Sequence, residues 1–177
     1  MLVLLCAKSS ERPLSMLKYL LEHLGLKLNE TKTQTVNAWR QGFDFLGHEI
    51  RMRRSPRSGK RYPHVQPGRR AVKRIKAKLT KLIGMNLTPL PLPAVIQRLN
   101  QSLQGWTGYF DYRNSTKVFG DLKLYAEERL RTHLRKHHKV SIRYFGYTRF
   151  PNSVLYERYG LFKLPTTAPW KRVHALA

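Results

Sequence analysis

Acidic residues are scarce in this sequence. Ten Asp and Glu stand against 34 Lys and Arg, which gives a formal net charge of +24. No acid occurs from Ile50 to Phe110, and none from Arg129 to Tyr156. Self-repulsion of this size destabilises a compact monomer, so the composition favours a polyanionic partner. A membrane partner would require one basic amphipathic helix without a larger core, whereas these basic residues are spread over several elements; we therefore expect nucleic acid, with a merely solvated charged surface as the alternative.

Cysteine and long apolar runs are also scarce. The single cysteine, Cys6, excludes an internal disulfide, and we expect it to be a small buried hydrophobe. No stretch approaches the roughly 20 apolar residues of a membrane span. The opening MLVLLC is too short for a signal peptide and lacks a basic start. We therefore expect a protein that is not secreted and that resides in a bacterial-type cytoplasm or an organellar matrix.

Residue groups typical of catalytic or metal sites are missing. Metal-dependent phosphoryl transfer needs clustered carboxylates, but the adjacent pair Glu127–Glu128 falls within a predicted helix beside basic residues. Three histidines have helical spacing without an accompanying cysteine pair, which predicts a basic helix end rather than a zinc site: His133, His137 and His138. No nucleophile elbow, phosphate loop or dinucleotide-binding fingerprint occurs. The residues alone predict neither a catalyst nor a bound cofactor.

Short strands and one helix are expected in the first third of the chain. Residues 2–6 read as a buried strand. A helix capped by Ser9 or Ser10 is predicted to run to about Leu24, where Gly25 ends it, with an apolar stripe of Leu14, Leu17, Leu20, Leu21 and Leu24. Two short strands are expected near residues 27–28 and 33–38. The stretch GFDFLGHEIRMR predicts a strand or hairpin with a kink at Gly47. The basic stretch 53–66, rich in Pro, Gly and Ser, is predicted to be a loop.

Three helices are expected beyond this loop. The first helix is predicted to have Pro67 just inside its start and Gly84 just beyond its end. Its apolar residues at helical spacing form one stripe: Val72, Ile75, Leu79, Leu82 and Ile83. The second helix runs through Val95, Leu99 and Leu103 into Trp106 and Phe110. The third spans about 116–138, with an inner row of Leu122, Ala126, Leu130 and Leu134 and an outer row of Arg131, Arg135 and His138. Prolines 151, 165 and 169 break the remaining aromatic-rich segment. The expected fold class is α+β.

Basic side chains of the loop and of two helices are the candidate RNA contacts. Such residues bind phosphates without reading sequence. An ordinary solvated face mixes charges of both signs. The outer face of the first helix beyond the loop, with Arg70, Lys73, Arg74 and Lys81, contains no acid. The candidates are Arg53, Arg54, Arg57, Lys60, Arg61, Arg69, Arg70, Lys73, Arg74, Lys76, Lys81, Arg131, Arg135 and His138. We expect Trp106 and Phe110 to be core residues, with stacking on unpaired bases as the alternative.

Several motifs together resemble the reverse transcriptase/maturase proteins encoded by group II introns. LGLKLNETKT at 24–33 is similar to their late palm segment, and GFDFLGHEI at 42–50 to their primer-grip hairpin. VQPGRRAVKRIKAKL, LNQSLQGWTGYF and FGDLKLYAEERLRTHLRKHHK resemble the maturase-specific domain, also called thumb or domain X, and YERYGLFKL resembles the tail. One departure is Gln104, where the family more often has Arg.

The resemblance implies a division of the chain and roles for some residues. It implies a palm remnant at 1–52, a basic linker loop at 53–66, a helical maturase-specific domain at 67–140 and a tail packed on it at 141–177. Lys32 would lie near an incoming nucleotide, while Phe45, Leu46 and Gly47 would press on a primer end. The maturase motif, mostly core, would comprise Asn100, Gly105, Trp106, Tyr109 and Phe110.

The resemblance also implies a function. In the family, a Tyr-Ala-Asp-Asp turn with metal-binding aspartates precedes the strand similar to LVLLC, and Met1 stands just after it. We therefore expect an RNA-binding maturase fragment that grips group II intron RNA and assists its folding and splicing, with no cofactor of its own. One alternative is the C-terminal half of an RNA-directed DNA polymerase, which would act on primer-template with Mg²⁺ only beside a separate N-terminal half. The other is a truncated product without function.

Overall fold

The computed structural model describes Cys6 and residues 9–84, 90–140 and 143–167. Helices and one three-stranded antiparallel sheet confirm the α+β class. The predicted opening strand lies outside the described residues apart from Cys6, which is exposed, so the prediction of a buried cysteine is wrong. In chain order the elements are α1 (Glu11–His23), β1 (Phe43–Phe45), β2 (His48–Arg54), β3 (Arg61–Pro67), α2 (Arg69–Leu82), α3 (Leu92–Phe110), α4 (Thr116–His137) and α5 (Arg143–Arg149).

The helix α1 and its glycine end are confirmed. Gly25 has φ +68°, and Leu26 N–H donates to the Leu21 carbonyl at 2.8 Å, which closes the helix end. The predicted apolar stripe is not buried, since Leu20 and Leu24 are 50% and 72% exposed and Leu14, Leu17 and Leu21 are only half-buried. The apolar periodicity therefore predicted the helix correctly but not a covered face.

The two short strands predicted near residues 27–28 and 33–38 are wrong. Their place is taken by irregular chain and a 3-10 turn, Glu30–Lys32. Asn29 Oδ1 accepts from Lys32 N–H at 3.1 Å, and the Thr33 hydroxyl donates to the Asn29 carbonyl at 2.8 Å. These short side chains form hydrogen bonds with nearby backbone groups, so the backbone does not need a neighbouring strand as its partner.

The hairpin predicted around Gly47 is confirmed. Strands β1 and β2 are joined by Leu46 and Gly47, whose φ values of +47° and +79° are both in the left-handed region that a two-residue hairpin turn of this type requires. Gly68, which precedes α2, donates its N–H to the Gly47 carbonyl at 2.7 Å. The turn is therefore fastened to the start of the helical part.

The loop predicted at 53–66 is wrong over most of its length. Residues 53–54 end β2 and Arg61 begins β3, so only 55–60 form the turn of a second hairpin. The N–H and the carbonyl of Val65 both point away from β2, since both are hydrogen-bonded to Asn114. Pro63 and Pro67, two residues to either side, share that outward direction, so their missing N–H groups cost the sheet no hydrogen bond. The prolines indicated a loop although they lie on an edge strand.

Helices α2, α3 and α4 pack most of their predicted stripes together in one core, whereas Val72 of the α2 stripe is only half-buried. The helix α2 begins at Arg69 after Gly68, so Pro67 ends β3 and is not inside the helix as predicted. The segment after α5 closes the core with further apolar side chains: Phe150, Leu155, Leu161 and Leu164. In the described part of the chain, no helix has the length and apolar character needed to cross a membrane.

Candidate nucleic-acid interface

The helix α2 presents an exposed face made of basic side chains. Its inner positions Ala71, Ile75 and Leu79 are buried in the core, which fixes the opposite face toward solvent. The predicted outer residues are exposed, and no acidic residue occurs in the helix. We call this set the α2 basic face: Arg69, Arg70, Lys73, Arg74, Lys78 and Lys81. Its geometry suits a row of phosphates, since the cations are held on one rigid element.

Two further cations are gathered beside the α2 basic face, around Tyr125 of α4. Lys76 Nζ lies 5.1 Å from the Tyr125 ring centroid and the Arg129 guanidinium carbon 5.3 Å from it. Arg129 Nε donates to the Tyr125 hydroxyl at 3.2 Å, and the Thr80 and Tyr125 hydroxyls are 2.6 Å apart. Burial raises the pKa of Tyr125, but these hydrogen bonds and the two cations lower it more, so the net shift is downward. The groove where α2 and α4 meet at Tyr125 thus holds two cations.

Sequence reasoning missed Arg129 and Tyr125 as part of this groove. The two residues are four positions apart on α4, which places them on one helix face. That spacing could have indicated a cation stacked on an aromatic ring. The pairing with Lys76 and Thr80 could not have been found in this way, because it depends on how α2 and α4 pack.

The second hairpin carries the other group of predicted basic residues. All five are exposed, and the structure brings them together on the ends of β2 and β3 and the turn between them: Arg53, Arg54, Arg57, Lys60 and Arg61. The Arg61 guanidinium carbon lies 4.8 Å from the ring centroid of Trp39, which is itself 48% exposed. The hairpin therefore presents planar and cationic groups to solvent.

The outer row predicted on α4 is wrong for Arg131. This side chain is buried, its guanidinium donates to the Phe150 carbonyl and Glu128 at 3.0 Å each and to Asn152, and it stacks 4.3 Å from the Tyr147 ring centroid. The later segment that covers it could not be located from helical periodicity. Arg131 ties that segment to α4 and presents no free cation to a ligand.

The remaining members of this row differ in exposure. Arg135 is half-buried, while His138 is exposed and lies 5.4 Å from Phe150, between ring centroids. Burial and neighbouring cations lower the pKa of His138, so it carries less charge at neutral pH than an ordinary histidine. His133 is buried, and desolvation lowers its pKa. The predicted basic helix end is therefore wrong for His133.

The primer-grip-like residues lie against the maturase motif. Phe45 is half-buried and Leu46 exposed, and the Tyr109 hydroxyl donates to the Leu46 carbonyl at 3.0 Å. A Cβ on Gly47 would lie 3.3 Å from the Phe110 ring. Lys32 is exposed in the 3-10 turn. The structure thus brings the hairpin turn to the end of α3.

The core role predicted for the maturase motif is confirmed for its two central aromatic residues. Phe110 is buried and Trp106 packs on the core, with their ring centroids 4.5 Å apart. Asn100 donates to the Gly160 carbonyl at 2.7 Å and accepts from Phe162 N–H at 2.8 Å, which fastens the final described segment to α3. Gly105 and Tyr109 are exposed.

Most of the helical part of the chain matches a known protein family. Residues 72–149 match the family described as the group II intron, maturase-specific domain. The match runs from within α2 to the end of α5, so it includes most of the α2 basic face. No curated protein matches the sequence. Among the described residues, no group of three His, Cys, Asp or Glu could hold a metal ion.

Proposed function

We propose that this chain binds group II intron RNA directly. Residues 72–149 match the group II intron, maturase-specific domain, which indicates a maturase-type role in group II intron splicing. By binding, the chain helps the RNA reach the fold that splices. The protein contributes counter-charge and shape, while the RNA carries out the chemistry. The observation that carries this proposal is the α2 basic face, exposed, free of acids and held by a buried stripe on the other side of the helix.

The α2 basic face has the dimensions of an extended phosphate contact. A helix of 14 residues is about 21 Å long, since each residue adds about 1.5 Å. Cations at both ends and in the middle of this length can neutralise several phosphates at once. Neutralisation matters most where two RNA strands approach each other, because their mutual repulsion opposes the compact fold. A contact of this kind reads the shape of the RNA rather than its sequence.

Salt dependence of binding tests the proposal. The full chain is titrated against a folded group II intron RNA at several salt concentrations. If the six cations of the α2 basic face each neutralise one phosphate, log K against log salt should have a slope of roughly −4 to −5. A slope near zero would contradict the proposal, because binding without counterion release is not phosphate binding.

Charge reversal locates the contact. The variant R70E/K73E/R74E should lose most of its affinity and have a shallower salt slope, while its unfolding stays unchanged because these side chains are exposed. The control R12E/K27E/R40E changes the net charge equally at other exposed positions. An equal loss in both variants would show that net charge, and not the α2 basic face, drives binding.

A second candidate function, binding of a primer-template in RNA-directed DNA synthesis with a separate N-terminal half, is favoured by Leu46. This apolar side chain is 57% exposed in a left-handed conformation, φ +47°, where Asn would be more favourable. The variant L46N keeps the turn and removes the apolar contact. It should weaken binding of an RNA/DNA hybrid with a recessed DNA 3′ end and leave a blunt hybrid unaffected. Equal binding of both hybrids by both proteins would eliminate this candidate.

A further inference from the structure

A cleft lies between the turn of the second hairpin and the loop that joins α3 to α4. Its volume is about 690 Å³, within the range of about 300–1,000 Å³ that small-molecule sites occupy. The two walls are joined to each other by hydrogen bonds. Asn114 N–H donates to the Val65 carbonyl at 3.0 Å, and Asn114 Oδ1 accepts from Val65 N–H at 3.3 Å. The cleft is therefore a formed feature of the fold rather than a gap between two independent segments.

Tyrosines stand on both walls of this cleft. Tyr62 lines it from β3 and Tyr112 from the loop, and Tyr112 is 51% exposed. Arg113 Nε donates to the Tyr112 hydroxyl at 2.9 Å, with the guanidinium carbon 5.3 Å from the ring centroid. Arg113 has φ +47°, a strained conformation for a residue other than glycine. The loop thus holds a planar cation and an aromatic ring side by side at the cleft.

The other lining groups are cationic or can form hydrogen bonds. Lys60 lines the hairpin side together with the hydroxyls of Ser55 and Ser58, and the Asn114 amide lies on the loop side. Among the described residues that line the cleft, none is acidic. A phosphate can bind to the cations, and a ribose or a base edge can form hydrogen bonds with the hydroxyls and the amide. A base can stack on the tyrosine rings. A nucleotide combines all three requirements.

We propose that this cleft binds an unpaired nucleotide of the RNA. Its base stacks on Tyr112 and Tyr62, and its phosphate lies at Lys60 and Arg113. A base inside a duplex cannot enter, because it is already stacked and paired, whereas a bulged or looped base can be turned out toward an aromatic ring. The inference deepens the proposed function and rests on it. It assigns the hairpin side of the molecule to single-stranded RNA and leaves the α2 basic face for phosphates of folded RNA.

The test compares two RNA hairpins of equal length. One is fully paired in its stem, and the other carries a bulge with 2-aminopurine, whose fluorescence decreases on stacking. Removing the ring in Y112L should weaken binding of the bulged RNA roughly tenfold, as expected for a lost base–aromatic contact, and should abolish the fluorescence decrease. Y112F, which keeps the ring, should behave like the unchanged protein, as should the control Y19L at an exposed tyrosine outside the cleft.

The salt series separates the two parts of the proposed subsite. Y112L should leave the salt slope unchanged, because stacking releases no counterions, while K60A should make it shallower by roughly one. Equal effects of Y112L on the bulged and the paired RNA, or no effect on either, would overturn the cleft proposal alone. Absence of salt-dependent binding of both RNAs by the unchanged protein would instead contradict the proposed function. Thermal unfolding of each variant verifies that its fold is intact.

Discussion

The hydroxyl of Tyr156 donates a hydrogen bond to the carboxylate of Glu127, which is only 2% exposed. Glu127 lies on α4 and Tyr156 in the segment that follows α5, so one partly buried polar contact joins residues 29 positions apart. Lys123 Nζ lies 3.8 Å from the same carboxylate. Burial and the neighbouring carboxylate raise the pKa of Tyr156, which keeps the phenol protonated as the donor.

Removing this donor should destabilise the protein. In Y156F the ring still packs, but the buried Glu127 oxygen loses its hydrogen-bond donor and keeps the longer ion pair with Lys123; the loss of such a donor typically costs about 1–3 kcal/mol. Urea unfolding should therefore show a lower midpoint with an unchanged slope. The control Y147F removes a hydroxyl that bonds Glu128 at a partly exposed position, and it should cost less. An equal loss of unfolding free energy in the two variants would show that the burial of Glu127 does not increase the contribution of this hydrogen bond.

The buried His133 should make stability depend on pH. Desolvation lowers its pKa below the ordinary value of 6.5, so the unfolded chain binds this proton more readily than the folded one. The contribution is complete above pH 6.5 and is lost as pH falls from 6.5 toward the lowered pKa. The free energy of unfolding should accordingly fall between pH 7 and pH 5.

A substitution can assign this pH dependence to His133. His64 and His138 also have lowered pKa values and contribute in the same direction, so H133Q should flatten the profile only in part. H23Q, at an exposed position, is the control. A profile that H133Q leaves as steep as before would show that His133 is not responsible.

The variant R131A should act on stability rather than on RNA binding. It removes a buried guanidinium, leaves the Phe150 carbonyl without this donor and takes one of its donors from Glu128, which we expect to cost about 2–3 kcal/mol. Chemical denaturation measures this loss. RNA affinity and its salt slope, measured where the variant is folded, should stay unchanged, and the exposed R149A provides the comparison. A shallower slope in R131A would restore this residue as a phosphate contact.

Two glycine-to-alanine changes should have opposite signs. A Cβ at Gly68 would lie 2.9 Å from the Gly47 carbonyl oxygen, so G68A should force the hairpin turn away from α2 and cost about 1–3 kcal/mol. Gly105 lies within α3, and a Cβ added there would meet no other part of the described structure within 4 Å, so G105A should stabilise the helix by about 0.5–1 kcal/mol. Thermal unfolding of both variants is the measurement. Stabilisation by G68A would mean that the turn does not pack as closely as described.

Local patterns predicted the parts of the fold that depend on neighbours in sequence. The α2 stripe through Ile75 and Leu79 follows from helical spacing, and so does the basic face opposite to it. The strand β3 was missed because Pro63 and Pro67 indicate a loop unless the edge of the sheet is known. Arg131 was placed outward because helical phase cannot show that Phe150 and Asn152 return to cover it. The cleft beside Tyr112 was likewise beyond reach, since its two walls come from distant parts of the sequence.

The outward-facing prolines of β3 also determine how the sheet can grow. Along that edge the N–H of Val65 is already taken by Asn114, and Pro63 and Pro67 have none to offer. A strand from another polypeptide would find few donors there, which disfavours extension of the sheet beside β3. Contacts on that side of the sheet therefore depend on side chains and on the carbonyl groups that the prolines still present as acceptors.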